Sequence, residues 1–188
     1  LAENKVIEKR VSITPEIAKK YISIGFEVFL PKNYALHLGF DDEKFKSQGV
    51  KIFENEKDII EKSDIIVQLS LPQDNILSNL KNSQNLIGVL NPYVNKVKLE
   101  NLSKNKVNTF SLELLPRITR AQSMDILSSQ ANLAGYKSVV ESFSAYEKAI
   151  PMMMTAAGTI SAAKVLVVGA GVAGLQAIAT AKRMGAIV

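Results

Sequence analysis

Cysteine is absent from this sequence of 188 residues, so no disulfide can staple the fold and no thiolate can hold a metal ion. That absence fits a reducing compartment. Histidine occurs once, at His37, which rules out a site built from several histidines, and no metal site is expected. Long hydrophobic runs are lacking too. Lys, Asp, Asn or Gly interrupts every apolar stretch before it reaches the roughly 18 residues of a membrane span, so this segment is not expected to cross a bilayer. Arginine is scarce: lysine supplies nearly all the positive charge, and the arginines are Arg10, Arg117, Arg120 and Arg183.

What is present describes a folded chain. An apolar fraction of 47% is enough to bury a real core. The net charge of +5 comes from lysines interleaved with Asp and Glu along the whole length, the pattern of a solvated surface, so no nucleic-acid partner is expected. In a composition that favours Lys over Arg, the arginines that remain draw notice, and two of them fall within PRITRAQSMD, 116–125. The chain opens on Leu1 without a signal-peptide pattern and closes on GAIV, 185–188, where a strand is expected to begin. It reads as a piece of a longer protein.

From residue 15 to residue 111 short β-rich runs alternate with amphipathic segments. Thr14 can cap a helix, Pro15 suits its first position, Glu16 suits its dipole and Gly25 suits its stop. Strands are expected at 27–30, 50–53, 64–71, 86–90 and 107–111, with helices near 42–47, 57–62, 74–81 and 96–104. Continuous apolar strands separated by helices signal a parallel sheet covered on both faces. After 125 comes a proline-free stretch to 148 with apolar or small residues at helical spacing, and a second α/β unit begins near Ala163. The expected organisation is an N-terminal α/β domain over 1–124, a connecting helix over 125–150, and from 151 to 188 the start of a dinucleotide-binding domain. The fold class is thus α/β, with two Rossmann-like or flavodoxin-like parallel-sheet domains joined by a long helix and the second domain truncated.

Two stretches carry chemistry. In KVLVVGAGVAG, 164–174, an expected strand runs into Gly169, Gly171 and Gly174 and then into a helix. That spacing has a mechanism: the first glycine permits a tight turn, the second lets a pyrophosphate approach the backbone, and the third lets helix and strand pack closely. A tight turn without a ligand is the competing reading. PRITRAQSMD follows a strand and precedes a helix, where open α/β sheets place ligands. Its Arg can clamp an anionic or carbonyl group, Gln122 and Ser128 can hydrogen-bond an amide, and Asp125 can accept from a ribose hydroxyl or orient an Arg. Equally, it can be a plain helix start, with Ser123 capping and Arg117 pairing Asp125 at the surface. His37 lies in an expected loop with no carboxylate pattern beside it and reads as structural. Met152, Met153 and Met154 read as adaptable core filler rather than as a cofactor lining, and TAAGT, 155–159, suits a close approach or a hinge.

Taken together, EKRVSITPE (8–16), ELLPRITRAQSMDILSSQANLAGY (113–136), PMMMTAAGT (151–159) and KVLVVGAGVAGLQAIATAKRMGA (164–186) resemble one family over nearly the whole chain. It is the NAD(H)-binding component, or alpha subunit, of the proton-translocating NAD(P) transhydrogenases, in a wider group that includes alanine dehydrogenase. The resemblance implies that RITRAQSMD reaches over the nicotinamide end of bound NAD(H). By position Arg117, Gln122 and Asp125 would be both catalytic and cofactor-binding, with Ser128 a further contact. Gly169, Ala170, Gly171, Val172, Ala173 and Gly174 would form the pyrophosphate turn, and the helix after Asp125 would connect two domains around the cofactor. It further implies NADP(H) on a partner domain, a membrane proton-channel subunit in the same complex, a homodimer, and a peripheral place on the cytoplasmic side of the inner membrane.

The chain departs from alanine dehydrogenase at two places. That relative needs a lysine after the strand matching DIIVQLSLP and a histidine after the strand matching LIGVLNPYVN; here the first place offers Gln68 and the second no histidine. Amine oxidation needs a group that moves protons at the reacting carbon. Direct hydride exchange between two nicotinamides needs only two rings held together with water excluded. Arg10 matches the position that relatives use for a substrate carboxylate and is given only a structural or accessory role. An amino-acid dehydrogenase of the same fold and a cofactor-binding module without chemistry are the alternatives. The ribose-selecting carboxylate of such a fold lies about 20 residues past the first glycine, hence beyond Val188. Sequencing of the extended gene is expected to find an acidic residue within a few positions of Val188; a basic residue there instead would argue against NAD.

Overall fold

Thr14 begins the regular structure. In the computed structural model, which describes residues 1–188, the Thr14 hydroxyl accepts from the Ile17 N–H at 3.4 Å and Pro15 opens helix α1 (Pro15–Ser23). The segment just before it is tied to the interior by a buried phenol. Tyr34 Oη accepts from the Ser12 and Ile13 N–H groups at 3.1 and 3.2 Å, and burial pushes its pKa up. Its ring meets Phe45 edge-on, with Ala18, Leu30 and Val50 in the same cluster.

The strands of the first half run parallel but divide into two sheets. Strands β1 (Phe29–Pro31) and β2 (Lys51–Phe53) pair with each other, while β3 (Ile65–Ser70), β4 (Asn85–Val89) and β5 (Asn108–Ser111) form a second sheet in that order. Helices α2 (Asp42–Lys46), α3 (Glu56–Lys62), α4 (Asp74–Leu77) and α5 (Lys96–Lys104) fall in the intervals. The single sheet expected from the sequence is therefore corrected to two. Side chains bridge where backbone ladders do not: the Phe29 and Phe53 rings, 5.3 Å apart edge to face, pack on the cluster of Ile60, Ile66, Leu86 and Leu90. Helix α4 stops at Leu77, short of the expected residue 81, because Ser78 Oγ and Asn79 Nδ2 both donate to the Asn75 carbonyl and compete with the helical bond. His37 stands in a short 3-10 turn, Leu36–Leu38, with Nε2 2.8 Å from the Lys9 carbonyl oxygen.

By internal contacts the chain forms two units, 1–116 and 117–188. The long helix α6 (Ile126–Ala145) belongs to the second, so the division falls earlier than the boundaries at 124 and 150 read from the pattern. Within this unit α6 packs against α7 (Val172–Arg183), burying Val139, Ala177 and Ala181 with Ala186. Between them lies an antiparallel hairpin of β6 (Met153–Thr155) and β7 (Gly158–Ile160). Two further readings are corrected here. The methionines are not core filler, since Met152, Met153 and Met154 are all exposed on or beside the hairpin. The expected strand at 164–168 is one parallel bridge, Lys164 to Ile187, held by Val165 N–H to the Ile187 carbonyl and Ile187 N–H to the Ala163 carbonyl, each 2.8 Å. Only Ile187 lies opposite it, so the ladder is a single bridge long.

The fold is thus α/β with parallel-strand sheets, and no helix is long and apolar enough to cross a membrane. One glycine of the first unit is required by its neighbour. A Cβ on Gly88 of β4 would fall 2.2 Å from the Gln68 carbonyl oxygen on β3, beside the register shift between Val67 and Ser70. Gly88→Ala is expected to destabilise the chain by about 1–3 kcal/mol, read as a lower urea midpoint with an unchanged slope; an unchanged midpoint would mean the strands part freely.

Candidate functional site

The second unit builds a cavity from its two helices and the turn between strand-like backbone and α7. On one side the chain enters at Arg117, makes a 3-10 helix over Thr119–Met124 and starts α6. Asp125, not Ser123, is the cap of that helix: Oδ1 accepts from the Ser128 N–H at 2.9 Å and Oδ2 from the Ser128 hydroxyl at 2.6 Å. These two bonds hold the Asp125 carboxyl below the usual aspartate range, the hydroxyl bond contributing most, and the charge of Arg117 lowers it further. Since the Ser128 proton is committed to Asp125, its oxygen is left as an acceptor, suited to an N–H of a carboxamide.

On the other side is the glycine turn. Gly169 has φ of 108°, a backbone region that side chains with a Cβ rarely enter. A Cβ on Gly174 would fall 2.0 Å from the Gly169 carbonyl oxygen, so the first turn of α7 can lie against the loop only as glycine. Gly171 differs: it caps α7, and a Cβ there would meet nothing within 4 Å. The space it leaves open is outside the backbone, where the free N–H groups of the α7 start point. No acidic residue stands in the first turn of α7, so its positive end is not neutralised.

Arg117, Leu127, Ser128 and Ala131 on one side, and Val168, Gly169 and Gly171, Val172, Ala173, Gly174 on the other, enclose a cavity of about 310 Å³. The structure thus brings together Arg117, Ser128 and five of the six turn residues named from sequence. Ala170 is not among the lining residues. Nor are Gln122, exposed in the 3-10 helix, and Asp125, which reaches the cavity through its bond to Ser128. Leu127, Ala131 and Val168 were not singled out in the sequence. The available signal for Ala131 was its place three residues after Ser128, on the same face of α6.

The cavity fits a dinucleotide's diphosphate: backbone donors and an unopposed helix start face open space at Gly171, a cationic side chain lines the wall, and the rest is apolar. A larger hollow of about 840 Å³ in the first unit is lined by Glu54, Glu56 and Asp58 with Asn75 and Asn79. Those carboxylates repel an anionic ligand, so the smaller cavity is the better candidate.

Comparison with known proteins agrees in two separate ways. Residues 1–134 match the family description "Alanine dehydrogenase/PNT, N-terminal domain" and residues 138–188 match "Alanine dehydrogenase/PNT, C-terminal domain". The chain belongs to the alanine dehydrogenase/PNT family. Among its relatives, an NAD(P) transhydrogenase subunit alpha chain of Rickettsia prowazekii (strain Madrid E) is 48% identical over 192 residues, covering 100% of this chain and 50% of the relative. A crystal structure of transhydrogenase from Sinorhizobium meliloti superposes with a TM-score of 0.92 at 42% identity, over 99% of this chain and 55% of that one. An L-alanine dehydrogenase structure gives 0.81 at 20% identity, over 98% and 51%, a likeness of fold alone. The chain spans about half the length of the curated relatives it matches.

In this member of the alanine dehydrogenase/PNT family, the cap on α6 ties the site to pH. Asp125 has a lower pKa folded than unfolded, so its cap contributes stability above the ordinary aspartate value and loses it as pH falls through the lowered one. Asp125→Ala is expected to melt earlier than the wild type at neutral pH, with the difference closing towards about pH 3. Calorimetric melting across that range checks this, and a pH-independent difference would contradict it.

Proposed function

We propose that this chain is the NAD(H)-binding component of a proton-translocating NAD(P) transhydrogenase. NAD(H), when bound, supplies the hydride exchanged with an NADP(H) that a separate partner domain holds. The residues of this chain then bind, orient and exclude water. Backbone N–H groups at Gly171–Ala173 take the diphosphate, with Ala170 and Gly174 completing the turn. Arg117 supplies positive charge on the opposite wall, and Ser128, its proton held by Asp125, accepts from the nicotinamide carboxamide. Gln122 joins that end from the 3-10 helix. Leu127, Ala131 and Val168 present apolar surface that keeps water from the reacting ring.

One observation carries the reading: the glycine turn with the open space at Gly171 faces Arg117 and Ser128 across a single cavity. What favours hydride exchange over amine chemistry is the lack of a proton-moving side chain. Gln68 is buried, with Nε2 bonded to the Ala2 carbonyl at 3.3 Å, and the single histidine is spent on a surface turn. The same reading assigns the chain to a homodimer, peripheral on the cytoplasmic side of the inner membrane, beside an NADP-binding domain and a membrane proton-channel subunit.

The test is hydride exchange from NADH to an NADP analogue by the complete subunit with its NADP-binding partner. Arg117→Ala is expected to slow exchange by roughly 10- to 100-fold. Full rate in that variant would remove Arg117 from the site, and alanine-dependent NADH formation by the wild type would favour the amino-acid dehydrogenase instead.

A further inference from the structure

Helix α6 carries a glycine at its centre, where glycine is among the poorest helix formers, and nothing in the backbone there requires it. Gly135 is buried and has an ordinary negative φ. The requirement comes from its neighbour. A Cβ at Gly135 would fall 2.1 Å from the Ala173 carbonyl oxygen, 2.9 Å from its carbonyl carbon and 3.0 Å from its Cα. All three are backbone atoms, so no side-chain rotation relieves the overlap, and the helices have to part by on the order of 1 Å.

Ala173 is the second residue of α7 and lies inside the glycine turn. Ser128, Ala131 and Gly135 follow one another at spacings of three and four, along one face of α6. The first two line the cavity and the third closes its end against the turn. We propose that Gly135 is a positioning residue for the cofactor: its missing side chain sets the gap between the wall of α6 that bears Ser128 and the phosphate-binding turn. This rests on the NAD(H) reading above. A dinucleotide must satisfy both walls at once, so a change in their separation penalises a ligand that spans them. A ligand that uses only the turn is spared, because Gly174 against the Gly169 carbonyl keeps the turn seated on its own strand.

The experiment compares affinities for NADH and for ADP, which carries the diphosphate but no nicotinamide, in the complete subunit. Gly135→Ala is expected to bind NADH roughly 10- to 100-fold more weakly, with ADP binding unchanged. Val139→Ala, which loosens the same helix pair without prying it apart at the turn, is expected to lower the melting temperature and leave the NADH-to-ADP ratio as in the wild type. Should Gly135→Ala fail to fold, Asn132→Gly decides: at an exposed position between Ala131 and Gly135, it softens α6 and is expected to weaken NADH several-fold and ADP not at all. Unchanged NADH affinity in the deciding variant, or equal loss of NADH and ADP, overturns the positioning role. Wild-type protein that binds ADP but not NADH would instead overturn the NAD(H) reading, and this inference with it.

Discussion

Backbone against backbone, without a side chain between, is the constraint on which the second unit depends. The Ala173 carbonyl rests on α6 at Gly135, and the Gly169 carbonyl rests on α7 at Gly174. A methyl group at either place would open the contact, and protein interiors are too densely packed to absorb the displacement locally. Those two contacts set where the α7 start lies relative to the loop before it and to the helix beside it. The N–H groups, the open space at Gly171 and the Ser128 oxygen have their positions from that packing.

Electrostatics follows the same geometry. A short surface carboxylate would ordinarily oppose an anionic ligand. Asp125 is turned instead onto the Ser128 N–H and hydroxyl, where it caps α6 and directs the hydroxyl lone pairs elsewhere. The turn of α7 is left with its positive end unopposed. The concentration of acidic residues at Glu54, Glu56 and Asp58 belongs to the other unit. The smaller of the two cavities is thus the better anion site, because the sign of its lining suits a phosphate.

The legible parts of the fold were those encoded by neighbours in sequence. Thr14 and Pro15 start α1 where they stand, and α3 and α5 end within a residue of the pattern that announced them, because caps, proline and helical spacing act over a turn or less. Where partners lie far apart in the chain, the pattern misled. Apolar runs at 27–31 and 64–71 look alike, yet they enter different sheets, joined by the Phe29 and Phe53 rings rather than by hydrogen bonds. Three consecutive methionines looked like core and are exposed, since the hairpin that carries them has no packed face within the chain. Ser123 and Asp125 are both good caps by type, and only the entry of the chain through a 3-10 helix decides for Asp125.

By itself the sequence determined the alternation of strands and helices, the glycine spacing that forces a tight turn into α7, and the lack of cysteine and of a second histidine. Each is a property of composition or of residues within one turn of each other, and no tertiary contact can alter it. Only the tertiary structure decided that Arg117 and Ser128 share a cavity with Gly171, and that Gly135 lies against the distant Ala173. Such contacts depend on how two helices cross, and that angle is set by side-chain packing summed over Val139, Ala177 and Ala181 rather than by any short stretch of chain.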